Sequence, residues 1–186
     1  ISAKYGIDTL LHAFAALSAQ RGEALPRLEL LIVGDGPDAA ALKRLADDLQ
    51  LGQRVRWIGA VAHAEVPAWL RRLDIYVAAS RLDSESFGVA VVEAMACAVP
   101  VVVSDAGGLP EVVGGDEGAA RCGLVVPRDD PAALATALGT LIDDPALRAR
   151  IAAAGRERAL RHYAWEACVE RMIAVQDAVT CRARSA

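Results

Sequence analysis

Apolar residues recur with a helical period from Ile7 through Leu10, Leu11, Phe14 and Leu17, which predicts a first helix. Asp8 reads as its cap and Arg21-Gly22 as its close. The pattern then shortens. Residues 28–33 are a brief apolar run ending in Gly34-Asp-Gly36, which predicts a strand entering a turn. Pro37 suits the first turn of a helix, where its missing N–H costs nothing, and that helix is expected to reach about Leu49. The alternation continues with strands over 55–58, 75–79, 101–103 and 123–126, and helices over 65–73, 89–96 and 109–113. Short apolar strands alternating with helices imply parallel pairing through right-handed crossovers, an α/β doubly wound sheet. After Pro127 three helical stretches follow with no strand between them, over 131–142, 145–161 and 165 to about 180; the last six residues read as frayed.

Composition narrows the class. The 186 residues fit one domain, and 54% apolar residues with a mean hydropathy of +0.30 supply a large core. No apolar run approaches the ~20 residues of a membrane span. No leader pattern opens the chain, which begins at Ile1 and reads as an excised fragment. The net charge of -4 is spread evenly and there are three tryptophans and five other aromatic residues, which argues against nucleic acid as a partner. Cys97, Cys122, Cys168 and Cys181 form no CxxC pair and read as reduced thiols of a cytoplasmic protein. Lys4 and Lys43 are the only lysines in an arginine-rich chain.

The chemistry concentrates in residues 80–113. This stretch starts at the carboxyl end of the strand over 75–79, where open α/β sheets bind ligands. Glu85 falls in the loop, Phe87, Gly88 and Val89 open the next helix, and Glu93 lies inside it. A glycine-containing helix start with unpaired amides favours phosphate oxygens, and flanking carboxylates accept from sugar hydroxyls. The plainer alternative is that two glutamates near a helix start complement its dipole. Glu93 resists that reading: it sits in an otherwise apolar run and should need a partner.

Glu85-x7-Glu93 enclosing Phe87-Gly88, then Glu93-Ala-Met-Ala, Pro100-Val-Val and Gly107-Gly-x-Pro-Glu111, resembles the group 1 (family 4) retaining glycosyltransferases of GT-B fold. Lys4-Tyr-Gly-Ile-Asp-Thr-Leu-Leu-His-Ala-Phe14, Gly34-Asp-Gly-Pro37 and Trp165 extend the resemblance over most of the chain, which looks like the family's carboxy-terminal, donor-binding domain. The resemblance implies a Rossmann-like half of a GT-B fold with extra C-terminal helices, lacking its first strand and its amino-terminal acceptor domain. Residues 165–182 would be the helix that crosses back to that domain. Glu85 matches the glutamate that contacts the donor sugar, and Glu93 the one that binds ribose. Ser86 and the amides of Phe87, Gly88 and Val89 would meet sugar and diphosphate. Lys4 matches a lysine that neutralises the leaving diphosphate, and Gly59, Ala60 and Val61 the loop that reads the base. Ala98 stands where the family more often has glycine, a change expected to be harmless.

The resemblance implies hexosyl transfer from a nucleoside-diphosphate sugar such as a UDP- or GDP-hexose to a hydroxyl acceptor, with retention, in bacterial polysaccharide or glycolipid synthesis. No cofactor and no metal are implied, any membrane contact is left to the missing domain, and the fragment alone is expected to be inactive. A non-catalytic nucleotide-sugar sensor and a GT-B epimerase are the alternatives. Other motifs carry less. Gly34-x-Gly36-x-x-Ala39 imitates a dinucleotide fingerprint, but the following strand ends in Gly59-Ala60 without the required acid. Asp47-Asp48, Asp129-Asp130 and Asp143-Asp144 sit at helix ends, where caps are normal. His12, His63 and His162 are scattered, and no Gly-x-Ser-x-Gly occurs.

Overall fold

The computed structural model describes residues 1–21, 28–85, 87–114 and 122–184, the side chains at 179 and 181–184 excepted. Within these, five strands alternate with helices: β1 (Leu30–Val33), β2 (Val55–Gly59), β3 (Tyr76–Ala78), β4 (Val101–Ser104) and β5 (Leu124–Val126). The helices are α1 (Ile7–Arg21), α2 (Ala39–Asp48), α3 (Val66–Leu70), α4 (Val89–Ala96), α5 (Leu109–Val112), α6 (Pro131–Asp143), α7 (Pro145–Tyr163) and α8 (Trp165–Arg184). Every ladder is parallel. β1 pairs with β2, and β3, β4 and β5 pair in that order, while no ladder joins β1 to β3 among the described residues.

β4 is central because both of its faces are covered. Successive strand side chains alternate between faces. Val101 and Val103 enter one cluster with Leu70, Met95, Leu109 and Ala159, from α3, α4, α5 and α7. Val102 enters the opposite cluster with Leu10, Leu134 and Leu138, from α1 and α6. Leu11, Phe14, Ile32, Leu42 and Val55 pack α1 and α2 against β1 and β2. Helices therefore lie on both faces, as a doubly wound sheet requires. α1 serves both ladders, with Leu10 and Leu17 on one cluster and Leu11 and Phe14 on the other.

Several boundaries move for local reasons. Asp8 lies within α1, and its carboxylate binds Arg81 at 2.6 Å rather than capping the helix. Pro37 belongs to the turn before α2, because the helix begins only at Ala39. The helix expected over 65–73 splits into a 3-10 turn, His63–Glu65, and α3, whose end tightens as the Arg72 and Leu73 amides donate three residues back. α8 continues to Arg184, past the expected frayed end. Asp130 caps α6 through the Ala132 and Ala133 amides, and Asp144 caps α7 through Leu147. Among the described residues no helix is long and apolar enough to cross a membrane.

The end of α4 revises the expectation for Ala98. The Val99 amide donates to the Ala94 carbonyl and the Ala98 amide to Met95, at 3.0 and 2.9 Å. This is a Schellman closure with Ala98 at the position that glycine usually takes, and its φ is +59°. A β-carbon in the left-handed region costs about 1 kcal/mol, so this alanine is not free of cost. Ala98→Gly should raise the melting temperature by roughly 2–4 °C; a scan showing no rise or a fall would contradict the strain assigned here.

Candidate functional site

Parallel strands deliver their carboxyl ends to one edge, and the loops there are laced into a continuous rim. At β2 and β1 the Gly34 amide donates to the Gly59 carbonyl at 2.7 Å. The Ile1 ammonium donates to the Asp35 carbonyl, and a β-carbon on Gly36 would run into the Ile1 backbone. The chain then passes to β3, where the Arg81 amide donates to the Lys4 carbonyl at 2.8 Å. Gly6, at φ +59°, follows; a side chain there would strike the Ala79 carbonyl. The Ser104 hydroxyl donates to the Ser80 carbonyl at 2.5 Å, and the Asp105 amide to Val126 at 2.9 Å.

Glu85 is held by its backbone. Its carbonyl accepts from the Gly108 amide at 3.0 Å, and the Gly107 amide donates to the Asp83 carboxylate at 3.2 Å. Gly107 has φ +51°, and a β-carbon on it would collide with the Glu85 carbonyl oxygen. The glycine pair is thus the bed on which the Glu85 loop lies. Gly88, at φ +69°, opens α4, and a side chain there would hit Leu109. Among the described residues, the amides of Phe87, Gly88 and Val89 donate no hydrogen bond. Phe87 is exposed on one side and meets the Tyr163 ring edge-on at 5.2 Å. Ser86 lies outside the described residues. Gly59 ends β2 at φ +81°, with Ala60 exposed and Val61 half-buried beyond it on the same sheet edge.

Glu93 is half-buried one turn into α4. Its carboxylate makes no hydrogen bond or ion pair among the described residues. Glu85 and Lys4 also lack an ion pair among them; the Lys4 ammonium sits 4.6 Å from the Tyr5 ring centre. Tyr76 links these groups. Burial first, and then the charges of Glu93, Glu85 and Tyr5 in that order, push its phenol up to about 12. The two glutamates and Tyr5 thus lie within electrostatic reach of one buried phenol.

Four further rim carboxylates are paired with two arginines. Arg81 binds Asp8 at 2.6 Å and also binds Asp129, while Arg128 binds Asp83 at 2.8 Å and Asp105 at 3.1 Å. Desolvation opposes ionisation of Asp8, but the Arg81 hydrogen bond and charge outweigh it and hold the carboxyl below its ordinary value. The Gly107 amide, then Arg128, likewise lower Asp83. Neither arginine, nor Tyr76, stands out in the sequence as a site residue. The one local sign was Arg81 directly after a strand.

With this geometry in place, comparison with known proteins is informative. Residues 1–158 match the family of glycosyl transferases group 1. The GDP-mannose-dependent monoacylated alpha-(1-6)-phosphatidylinositol monomannoside mannosyltransferase of Corynebacterium glutamicum is 36% identical over 172 residues, covering 90% of this chain and 42% of that protein. The crystal structure of Anabaena Alr3699/HepE in complex with UDP and glucose superposes with a TM-score of 0.80 at 25% identity, covering 95% of this chain and 45% of that one. The C-terminal domain of a glycosyl transferase group 1 family protein (LpcC) from Francisella tularensis gives 0.74 at 28% identity, with 88% and 82% covered. The chain belongs to the group 1 glycosyltransferase family, and its fold is the Rossmann-like α/β half of a GT-B architecture. It spans about two fifths of the length of the curated relatives it matches.

Tyr76 gives a direct test of the shared neighbourhood. A phenol pKa raised above its ordinary value of 10.0 contributes stability that is fully present below pH 10 and lost as pH rises through about 12. Tyr76→Phe should flatten the fall in melting temperature across that window. Glu93→Gln should lower the pKa of the last-titrating tyrosine in an absorbance titration; an unchanged titration would place Glu93 away from Tyr76.

Proposed function

We propose that this chain is the donor-binding half of a retaining glycosyltransferase, which moves a hexosyl group from a nucleoside-diphosphate sugar to a hydroxyl acceptor. One observation carries the reading. Lys4, Glu85 and Glu93 have no ion pair among the described residues, in a rim where Asp8, Arg81, Asp83, Asp105, Arg128 and Asp129 are all paired. A half-buried carboxylate is costly without a partner, and ligand hydroxyls would supply one. Glu93 would grip ribose and Glu85 the hexose. The amides of Phe87, Gly88 and Val89 at the start of α4, with Ser86 beside them, would take the diphosphate. Lys4 would join these amides as charge grows on the departing group, where fixed donors are most effective. Glu85 orients the sugar and does not attack it. The loop Gly59, Ala60 and Val61 would meet the base. GDP-mannose in the name of one relative, and UDP with glucose in one similar structure, support this class of donor.

The acceptor belongs to a further, amino-terminal domain. Two features support this part of the reading. Among the described residues β1 and β3 each keep an edge without a ladder partner while α1 packs against both ladders, a place suited to one more parallel strand. Along α8, Trp165 is 79% exposed and Met172 71%, with Ile173 and Val175 also exposed, so these side chains offer an apolar surface to another domain. Cys97 and Cys168 are thiols, in keeping with a cytoplasmic enzyme.

Calorimetry with UDP- and GDP-sugars tests the reading. One of the two series should bind, and Glu93→Gln should weaken binding by about 10- to 100-fold, the size of a charge-assisted hydrogen bond. Absence of binding, or a variant that binds like the unaltered chain, would overturn it. Joined to its acceptor domain the protein should transfer sugar. Binding without turnover there would indicate a sensor, and conversion of the donor without acceptor an epimerase.

A further inference from the structure

Arg81 and Arg128 occupy the middle of the rim, and neither belongs to the groups assigned to the donor. The Arg128 guanidinium is spent entirely on neighbouring loops. Its Nε donates to Asp105 Oδ1 at 3.1 Å and its Nη2 to the Asp105 carbonyl at 2.7 Å. Its Nη1 donates to Asp83 Oδ1 at 2.8 Å and to the Arg81 carbonyl at 3.2 Å. The backbone amide of Arg128 also donates to Asp105 Oδ1 at 2.8 Å, which fixes the base of the side chain. One planar fork thus ties the turn after β5 and the turn after β4 to the loop after β3.

The loop end of that tie lies next to Glu85. Asp83 Oδ1 accepts from Arg128 and from the Gly107 amide together, and the adjacent Gly108 amide donates to the Glu85 carbonyl. Arg81 anchors the other end. Its Nη2 donates to Asp8 at 2.6 Å and to the Thr9 hydroxyl at 3.0 Å, its Nη1 reaches the Ala3 carbonyl at 3.4 Å, and its amide holds the Lys4 carbonyl. Asp129, the residue after Arg128, accepts from the Arg81 Nε. The two arginines therefore interlock, and between them they set where the Lys4 turn stands relative to Glu85. A lysine carries its charge on one point and could not reach four acceptors in one plane.

We propose that Arg128 is a positioning residue for Glu85, acting through Asp83 and the Arg81 carbonyl, with Arg81 holding the Lys4 turn against the same loop. The inference rests on the donor-site reading above and deepens it: the clasp governs recognition of the sugar and leaves recognition of the nucleotide alone. Loosening it frees Glu85, while Glu93, inside α4, keeps its place.

The test compares the unaltered chain with Arg128→Ala and Asp83→Asn, the second cutting only the loop side of the clasp should the first fail to fold. Calorimetry with UDP and GDP, and with UDP-glucose and GDP-mannose, separates nucleotide from sugar. Hydrogen exchange at the Gly107 and Gly108 amides reports the loop without any ligand. The expected result is an unchanged affinity for the nucleoside diphosphate, loss of about tenfold in the extra affinity conferred by the sugar, and at least tenfold faster exchange at both amides with α6 unaffected. Equal loss for nucleotide and nucleotide sugar would reduce Arg128 to a stabilising contact and overturn the proposal. So would variants that exchange and bind like the unaltered chain. Failure of the unaltered chain to bind UDP or GDP would sink the donor-site reading and this proposal with it, and is told apart because no variant is involved.

Discussion

The site depends on one close backbone contact, the Glu85 carbonyl resting on Gly107 and Gly108. A carboxylate at the end of a loop is useful only if that loop has one position. Gly107 allows the contact by lacking a β-carbon and by adopting φ +51°. Gly88 repeats the arrangement at φ +69°, letting α4 start directly over Leu109. Leu109 in turn is fully buried against the β4 side of the core. The chain of dependence thus runs from the apolar core, through two glycines, to a charged side chain at the sheet edge.

Electrostatics completes what packing begins. A rim with this many charges would be frustrated if each sought any partner within reach. Here the pairs are sorted: arginine forks join loops to one another, while Lys4, Glu85 and Glu93 make no ion pair among the described residues. The three open amides at the start of α4 and Lys4 are local donors in a chain whose net charge is -4.

Much of this was legible in the chain. The switch between short apolar runs and helical spacing gave the order of elements, and α4 occupies Val89–Ala96 as its pattern implies. The Glu85 and Glu93 spacing and the Gly107-Gly108 pair marked the candidate site because both are local signals. What stayed hidden was non-local. Arg81 finds Asp8 and Asp129 at 73 and 48 positions away, and Arg128 finds Asp83 at 45, distances over which no periodicity operates. Tyr76 looked like an ordinary strand residue, and the missing pairing of β1 with β3 leaves no trace in either segment. Ala98 was read by its size, whereas its cost lies in its backbone angle.

The central claim is that the carboxyl rim binds a nucleoside diphosphate at the start of α4. Titrating the isotope-labelled chain with UDP and with GDP, and following backbone amide resonances, addresses it most directly. Saturable shifts at Phe87, Gly88, Val89 and the Gly59–Val61 loop are expected, with α6 and α7 silent. Shifts confined to other surfaces, or none with either nucleotide, would contradict the account.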